Sequence, residues 1–531
     1  MKGQSIISNL HAKFAEKSWN ETFQLVRRCM EKPRDKSKPC EPLVRTLQRL
    51  QEGLDVSSVN TMRSRLEMIA KQQGMGFHIT DDTCYLTADL FYLEVVLLPC
   101  GGVEEVKVAP HGGSPAPSES LRQLLRLKNF AAFSMKLAGL FRQYNIPGDN
   151  KVKLKLFTSL QSLWKDLQLM SLLPREPKDS HAQLDMINNG RIGCLMAGKQ
   201  DCPPTIQFYI NPADVKQTSD SPFAFKEMEA VVQTAQVTLG VSDVNHKLQM
   251  ASVIPQPPQL DAQGNPVFLP LNEVPNETLP ACFLLKLQPA VPVTVSFVKK
   301  LSEITDVTML DVDLQWAPLP KLLMRGSLSA NSHEETLHDG DPIFTVSLFG
   351  GVMHRYIFPG AAWDAPERKG TAMDSIPFTH PAHVPPILEL LRQQCAFNIL
   401  LSSCITPQLV SSAGLVCNLH FEVLLESDTS FSVTFQQPDT DNLAVLLVNM
   451  SDSHQITCSL FGAGKINPSL DEYIATVMKR SMSLPVTLGT LYSKLTEINS
   501  AQLSMSCLAT AETKNDSSAR SSLSVTDPNS I

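Results

Sequence analysis

Two short runs contain residues whose types could do chemistry, but the spacing of each falls short of a working site. In HEETLH, His333 and His338 are five residues apart, whereas a zinc-protease helix places two histidines four apart on one face. FGAGK ends like a nucleotide-binding loop at Lys465, but Ile466 follows where that loop needs a hydroxyl for magnesium. Neither a metal site nor a nucleotide site is predicted.

A histidine pair, His380 and His383 in THPAHVPP, has no nearby thiol or carboxylate partner in the sequence. A proline-stiffened loop is the favoured interpretation of this pair. There is no G-x-S-x-G elbow, and no Cys or Ser stands in a recognisable nucleophile context. We therefore predict no catalytic, cofactor-binding or metal-binding residues and no enzyme, although a triad assembled from distant residues, as in an unrecognised hydrolase, stays open.

The short helical motif L-x-x-L-L, with which coactivators dock into apolar grooves, occurs four times. The four matches begin at Leu121, Leu169, Leu319 and Leu443. The match at Leu443 falls in a predicted strand, that at Leu319 contains a proline, and that at Leu169 lies where a long helix ends. Only Leu121, Leu124 and Leu125 follow a polar approach near a helix start, and even there we favour core packing over docking.

Composition and charge indicate an ordinary globular chain. The 531 residues are 43% hydrophobic, which is enough for two to four domains with sizeable cores. The net charge of -7 gives no positive field for a phosphate backbone, so no direct nucleic-acid binding is expected. The 12 cysteines form no C-x-x-C pair, and no apolar run is long enough for a membrane span. We expect reduced, buried thiols and a location in the cytosol or nucleus.

The first third of the chain is predicted to be chiefly helical. Helices are predicted at residues 5–16, 20–31, 42–53, 58–72, 118–143 and 149–171. The helix predicted at 118–143 is expected to break near Lys128 and restart with Asn129 as a cap. Between the helices, β-rich runs on either side of Gly101 predict a hairpin over Cys84–Ala109.

The helix after Tyr144 has a clear apolar stripe. Asp149 or Asn150 can cap its first turn, and apolar residues then recur at spacings of four and three. The stripe consists of Val152, Leu156, Leu160, Leu163 and Leu167. We expect it to form the core of the N-terminal lobe.

Beyond a predicted polar loop at 174–200, strands and helices mix. Strands are predicted at 204–210, 229–239, 343–349 and 353–358, a proline-rich surface crossing at 255–280, and an apolar helix at 387–404. From about Leu415 the apolar period changes to two, which predicts an antiparallel meander of four strands. Two helices, at 469–481 and 486–499, are expected to complete this region.

The predicted fold class is α+β. We expect an N-terminal helical lobe with a hairpin at residues 1–173, a central α+β region at 201–405, and a β-meander with terminal helices at 411–504. Residues 511–531 are too polar to bury anything and are predicted to be a disordered tail.

Several phrases spread along the chain resemble the Mediator subunit 1 family. They include CYLTADLFYLEV from Cys84, KNFAAFSMKLAGLFRQYNIPGDNKVKLKLFTSLQSL from Lys128, LPACFLLKL from Leu279, HPAHVPPILELLRQQCAFNILLSSC from His380, FSVTFQQP from Phe431 and SMSLPVT from Ser481. They occur in the order that the family shows. The family's globular region is non-enzymatic and helps to build the middle module of the Mediator coactivator complex, which relays activator signals to RNA polymerase II.

This resemblance implies a nuclear subunit whose partners are other middle-module subunits, with RNA polymerase II reached indirectly through the complex. Longer family members continue into a disordered segment whose L-x-x-L-L boxes bind nuclear receptors, whereas this chain ends soon after its last predicted helix. We therefore expect a short paralogue, a splice form or a fragment with weak or absent receptor binding. A cytosolic scaffold or trafficking adaptor is the alternative that fits the same composition.

Overall fold

The protein's structure is a computed structural model. It describes residues 23, 24, 27, 58–144, 146, 148–179, 181–196, 204–214, 231–307, 309, 314–327, 342–348, 352–405, 419–438, 440–462 and 468–515. The helices predicted at 5–16 and 42–53 lie outside the described residues, and only three positions of the helix predicted at 20–31 are described, all of them helical. The HEETLH run and Ala463–Ile466 also lie outside them.

A five-stranded antiparallel sheet and three helices form the first packing unit. The strands β1 (Gly76–Thr80), β2 (Thr83–Thr87), β3 (Phe91–Leu97), β4 (Val103–Pro110) and β5 (Ala116–Pro117) pair in chain order. The helices are α1 (Val59–Gln72), α2 (Glu119–Arg126) and α3 (Phe130–Tyr144). The predicted hairpin is present as β3 and β4, whose turn holds Gly101 at a φ of 82°. It is only part of the sheet, since β1, β2 and β5 extend it.

The predicted break between α2 and α3 is confirmed. Lys128 adopts a left-handed φ of 51°, which ends the first helix. The Oδ1 of Asn129 then accepts the backbone N–H of Ala132 across 3.2 Å and caps the second. The leucines of α2 enter one core with the inner faces of β2, β3 and β4. From α3 this core includes Phe130, Phe133, Leu137 and Leu140.

The central sheet has six antiparallel strands in the order β10–β13–β9–β8–β7–β6. Its strands are β6 (Cys194–Met196), β7 (Thr205–Ile210), β8 (Val232–Gln249), β9 (Asn276–Thr294), β10 (Ala317–Pro318) and β13 (Lys369–Phe378). Along β9 the odd-numbered residues from Leu279 to Leu287 are buried on one face, as a half-buried strand requires. The predicted proline-rich crossing connects β8 to β9, but its last residues, from Asn276 to Pro280, already lie in β9.

Six α-helices with defined bounds lie in this region of the chain, among the residues that the structure describes. They are α4 (Asn150–Leu172), α5 (Ala182–Asn189), α6 (Val295–Thr305), α7 (Leu319–Ser327), α8 (Gly360–Trp363) and α9 (Val384–Ser402). The predicted polar loop at 174–200 is wrong, because α5 and β6 lie within it and α5 buries Leu184 and Ile187. The predicted helix at 387–404 is confirmed as α9, whose two prolines fall in the first turn, where the backbone N–H is not needed.

The C-terminal sheet also has six strands, in the order β11–β12–β14–β15–β16–β17. They are β11 (Ile343–Ser347), β12 (Met353–Ile357), β14 (Leu419–Ser427), β15 (Ser430–Gln436), β16 (Leu443–Met450) and β17 (Ile456–Phe461). The four-stranded meander is confirmed, and β12 joins it by parallel pairing with β14. Helices α10 (Pro468–Ser481) and α11 (Leu484–Asn515) follow, so helix continues into the first residues of the predicted tail.

One continuous core joins α4, the central sheet, α9, the C-terminal sheet and the last two helices. The prediction that the stripe on α4 forms the core of the N-terminal lobe is wrong, because Leu156, Leu163 and Leu167 lie in this larger core and not in the one beneath β3. The α+β fold class is confirmed, and the domain boundaries stay a prediction. Within the described residues, the helices are too short or too polar to cross a bilayer.

Candidate interaction surface

The histidine pair is part of the scaffold that starts helix α9. The rings of His380 and His383 lie 5.9 Å apart, and Nδ1 of His380 accepts the backbone N–H of Ala382 across 3.1 Å. Burial, followed by the neighbouring His383, lowers the pKa of His380 to about 4. Burial also lowers the pKa of His383. The described residues contain no group of three or more His, Cys, Asp or Glu side chains that could hold a metal ion.

The buried cysteine thiols of the core are unreactive near pH 7. Burial raises the pKa of Cys395 to about 12, and burial, followed by Asp471, raises the pKa of Cys458 to about 12. Because the thiolate is the nucleophile, these side chains stay unreactive near pH 7. Among the described cysteines, Cys100 in the β3–β4 turn is the exposed one.

The best L-x-x-L-L candidate lies on helix α2 and faces inward. Leu121 and Leu125 are both 0% exposed, and Leu124 packs against the same core. Ser118 caps the helix by accepting the backbone N–H of Leu121 across 3.3 Å, and Arg126 donates its Nε–H to the carbonyl oxygen of Val103 across 2.8 Å. Docking of these leucines into a partner's groove would require α2 to leave the sheet, so the favoured interpretation as core packing agrees with the structure.

The other three L-x-x-L-L matches do not form exposed docking helices either. Helix α7 begins at Leu319 and buries all three motif leucines of its match. The match at Leu443 lies in strand β16, where Leu443 is 63% exposed but Leu446 points into the core. At the end of α4, Leu172 is 79% exposed while Leu169 packs against the core.

An open groove of about 1280 Å³ lies on the face of the central sheet that is turned away from the main core. We call it the sheet groove. Its apolar lining comes from the sheet and from the segment between α6 and α7: Leu284, Pro377, Met309, Leu314 and Trp316. All five are half-buried. Apolar side chains that are partly exposed in a concave surface are typical of a site that binds another molecule.

Leu284, which lines the sheet groove, packs over a glycine of the neighbouring strand. In the register of β8 and β9, Gly240 lies opposite Cys282, beside Leu284. A Cβ at Gly240 would come within 2.5 Å of Leu284 Cδ1, so the missing side chain allows Leu284 to lie across the sheet. The groove is therefore built by the pairing of two strands, which no local sequence pattern displays.

Carboxylates ring the sheet groove. Asp243 in β8, Asp306 at the end of α6 and Asp374 in β13 all line it and are exposed. None of the three forms an ion pair with another described residue. Arg325 is the one Lys or Arg side chain among the lining residues that the structure describes. The rim therefore favours a ligand that carries positive charge.

Two buried polar side chains hold the scaffold of this surface, and sequence reasoning missed both. Arg392 of α9 is 3% exposed, and its guanidinium donates to the carbonyl oxygens of Phe208, Ile187 and Gly190. The last two carbonyls lie at the C-terminal end of α5, where the helix dipole favours a cation. Arg392 thus fastens α5 and β7 to α9.

The second is Asp166 on α4, which is 0% exposed. Its Oδ2 accepts the side-chain N–H of Gln249 across 2.6 Å and the backbone N–H of Val253 across 3.1 Å, and its Oδ1 accepts the hydroxyl of Ser252. Burial raises the pKa of Asp166, while these hydrogen bonds counteract the rise. The carboxyl group anchors α4 to the end of β8.

Comparison with known proteins identifies a family and several similar proteins. Residues 44–406 match the family described as Mediator of RNA polymerase II transcription subunit 1. The proteins of that name from Xenopus tropicalis and Xenopus laevis are 34% and 33% identical to the chain over 519 residues, which is 95% of this chain and 33% of each relative. The Drosophila melanogaster protein of that name is 25% identical over 500 residues, or 91% of this chain and 33% of the relative. The chain thus spans about a third of the length of these relatives.

Proposed function

The chain belongs to the Mediator of RNA polymerase II transcription subunit 1 family, and from this premise we propose that it is a non-enzymatic structural subunit of the Mediator coactivator complex. It takes its place in the middle module, contacts other subunits there, and helps to relay activator signals to RNA polymerase II through the complex. Its site of action is the nucleus.

The observation that carries this proposal is the extent of the similarity. The similarity to the Xenopus tropicalis relative covers 95% of the chain, so all three sheets lie within it. A scaffold role also fits the geometry, because the surface of the protein offers an apolar groove to a partner. The buried side chains His380 and Cys395 have pKa values that keep them neutral near pH 7. The net charge of -7 supports contacts with proteins rather than with a nucleic-acid backbone.

Weak or absent binding to nuclear receptors is part of the proposal. A docking L-x-x-L-L helix needs its first and last leucines free to enter a partner's groove. On α2 those side chains, Leu121 and Leu125, are both 0% exposed, and on α7 Leu319 is also 0% exposed. Exposing them would remove apolar surface from the core, at about 1.5–3 kcal/mol for each leucine.

Affinity purification of the tagged full chain from nuclear extract, followed by mass spectrometry, tests the proposal. We expect other Mediator subunits, those of the middle module foremost, to co-purify in amounts comparable to the bait. The matched control is a tagged chain with Arg392 changed to Met, which should lose these subunits as the scaffold loosens. Recovery of the chain from cytosol with trafficking proteins and without Mediator subunits would refute the proposal and favour a cytosolic adaptor.

A further inference from the structure

In the part of the chain that the structure describes, one edge of the central sheet lies unpaired beside the sheet groove. Strand β13 pairs with β9 from Gly370 to Phe378, but on its other side β10 pairs only with Lys369 and Gly370. No other strand in the described part of the chain pairs with β13. Among the described residues, Thr371–Phe378 therefore presents an unpaired strand edge, and such edges accept an added strand from another polypeptide.

The free edge and the apolar lining belong to one surface. Six residues of β13 between Thr371 and Pro377 line the sheet groove. Pro377 lies opposite Leu284 in the β13–β9 register, so apolar groups continue from the edge strand onto its neighbour. Trp316 and Leu314, just before β10, border the same space. A segment that adds to β13 can thus form backbone hydrogen bonds and bury apolar side chains at the same time.

The acidic rim of the groove favours a ligand with positive charge. Asp374 lies on the edge strand itself, and Asp243 in β8 and Asp306 at the end of α6 also border the groove. With Arg325 as the single opposing Lys or Arg among the described lining residues, the groove repels acidic segments and attracts basic ones.

We propose that the sheet groove binds an extended segment of another protein that carries both apolar and basic side chains, and that this segment adds as a strand to the free edge of β13. The inference rests on the proposed scaffold function, in which the chain binds other proteins. It specifies which surface is used and what chemistry the partner segment has.

Fluorescence anisotropy with the purified full chain tests the inference. The probe is a fluorescein-labelled peptide of alternating valine and lysine, long enough to span Thr371–Phe378. We expect saturable binding of this probe and at least about tenfold weaker binding of a valine–glutamate peptide of the same length. The valine–lysine peptide methylated on its backbone nitrogens keeps its charges but loses its N–H donors, and we expect it to bind at least about tenfold more weakly as well.

Charge reversal in the groove provides the matched comparison. Asp374→Lys should weaken binding of the valine–lysine probe at least about tenfold. Glu422→Lys, an exposed carboxylate on β14 in the other sheet, should leave it unchanged. Because Asp374 is exposed, its replacement leaves folding intact, which the circular dichroism spectrum verifies. Equal effects of the two substitutions, equal binding of the N-methylated peptide, or no binding of the probe would each overturn the inference.

These outcomes are independent of the Mediator proposal. A chain that co-purifies with Mediator subunits but ignores the peptide probe assembles through another surface. A chain that binds the probe but recovers no Mediator subunits has the groove chemistry without the proposed complex.

Discussion

Arg392 on helix α9 donates its Nε–H to the carbonyl oxygen of Phe208 on strand β7 across 2.9 Å, although 184 residues separate the two in the chain. The same guanidinium donates to Gly190 across 2.6 Å and to Ile187 across 3.1 Å. Burial lowers the pKa of Arg392, and its partners are mainly backbone carbonyls. One side chain thus joins three elements that are far apart in sequence.

Replacing this arginine should destabilise the fold. Arg392→Met keeps the apolar length of the side chain but leaves buried carbonyl oxygens without donors, which we expect to lower the free energy of unfolding by about 3 kcal/mol. Urea denaturation followed by circular dichroism measures the change. Glu389→Gln is the control, since Glu389 contacts Arg392 across 3.4 Å from a half-exposed position and should change the stability by less than about 1 kcal/mol. An Arg392→Met protein as stable as its parent would contradict this account.

Asp166 should be the polar anchor of helix α4. In Asp166→Asn an amide NH2 replaces one of the two acceptor oxygens that face Gln249, Ser252 and Val253, so at least one of these donors loses its acceptor. We expect a loss of about 1–3 kcal/mol in the free energy of unfolding. Lys165→Ala, at the exposed neighbouring position, serves as the control in the same denaturation experiment. Equal effects at the two positions would show that the hydrogen bonds of Asp166 contribute nothing.

Truncation of a buried leucine on helix α2 should destabilise the fold. Leu125→Ala removes a side chain that is 0% exposed and should lower the free energy of unfolding by about 2–5 kcal/mol. Leu127→Ala, where the side chain is 70% exposed, should change it by less than about 0.5 kcal/mol. Thermal denaturation of both proteins checks the contrast. Similar midpoints for the two would mean that α2 does not pack on the sheet in solution.

The same leucines predict the outcome of a receptor pull-down. Because Leu121 and Leu125 are buried, an immobilised nuclear-receptor domain loaded with its agonist should retain little of the folded chain. A peptide from a known L-x-x-L-L coactivator box is the positive control. Strong retention that disappears when Leu124 and Leu125 are changed to Ala would show that α2 detaches and docks.

Because His354 is buried, the folded protein should lose stability at acidic pH. It is 0% exposed, with Nδ1 2.9 Å from the Tyr356 hydroxyl, and burial lowers its pKa from 6.5 to about 4. A base whose pKa is depressed in the folded state takes up its proton on unfolding. Its neutral form therefore supports folding fully above about pH 6.5, and this support is lost as the pH falls towards 4.

Urea denaturation between pH 7 and pH 4 measures this effect. His354→Phe keeps the ring among Tyr356 and Phe421 but removes the titration, so its free energy of unfolding should fall less steeply, by up to about 1.4 kcal/mol per pH unit. Part of the slope should persist, because burial also lowers the pKa of His380 to about 4. Parallel profiles for parent and variant would exclude His354 as a contributor.

Much of the local structure follows from short-range patterns. The period of two after Leu415 predicts the meander because residues on one face of each strand must be buried together. Asp149 or Asn150 is predicted to cap helix α4, and in the structure Oδ1 of Asp149 accepts the backbone N–H of Val152 across 2.8 Å. Strand β9 escapes prediction because three prolines interrupt it, and prolines are unusual within a sheet. Helices α5 and α7 are short, so their apolar periods are too brief to recognise.

Short-range sequence patterns do not predict the surface that we propose for binding. Nothing around Gly240 in the sequence shows that Leu284 lies beside it, because strand register depends on pairing across a long connection. The acidic rim likewise combines Asp243, Asp306 and Asp374, which belong to three different elements. Arg392, within LLRQQ, looks like an exposed residue of an amphipathic helix, yet it is buried.

By itself, the sequence determined the longer helices, the meander, the α+β fold class and the Mediator subunit 1 family, because propensity, periodicity and short sequence motifs are properties of neighbouring residues. Tertiary structure alone decided what each apolar stripe packs against, and it buried Leu121 and Leu125 while leaving the edge of β13 open. The reason is physical: a stripe shows that a face must be buried but does not specify its partner, since many apolar surfaces can satisfy it equally.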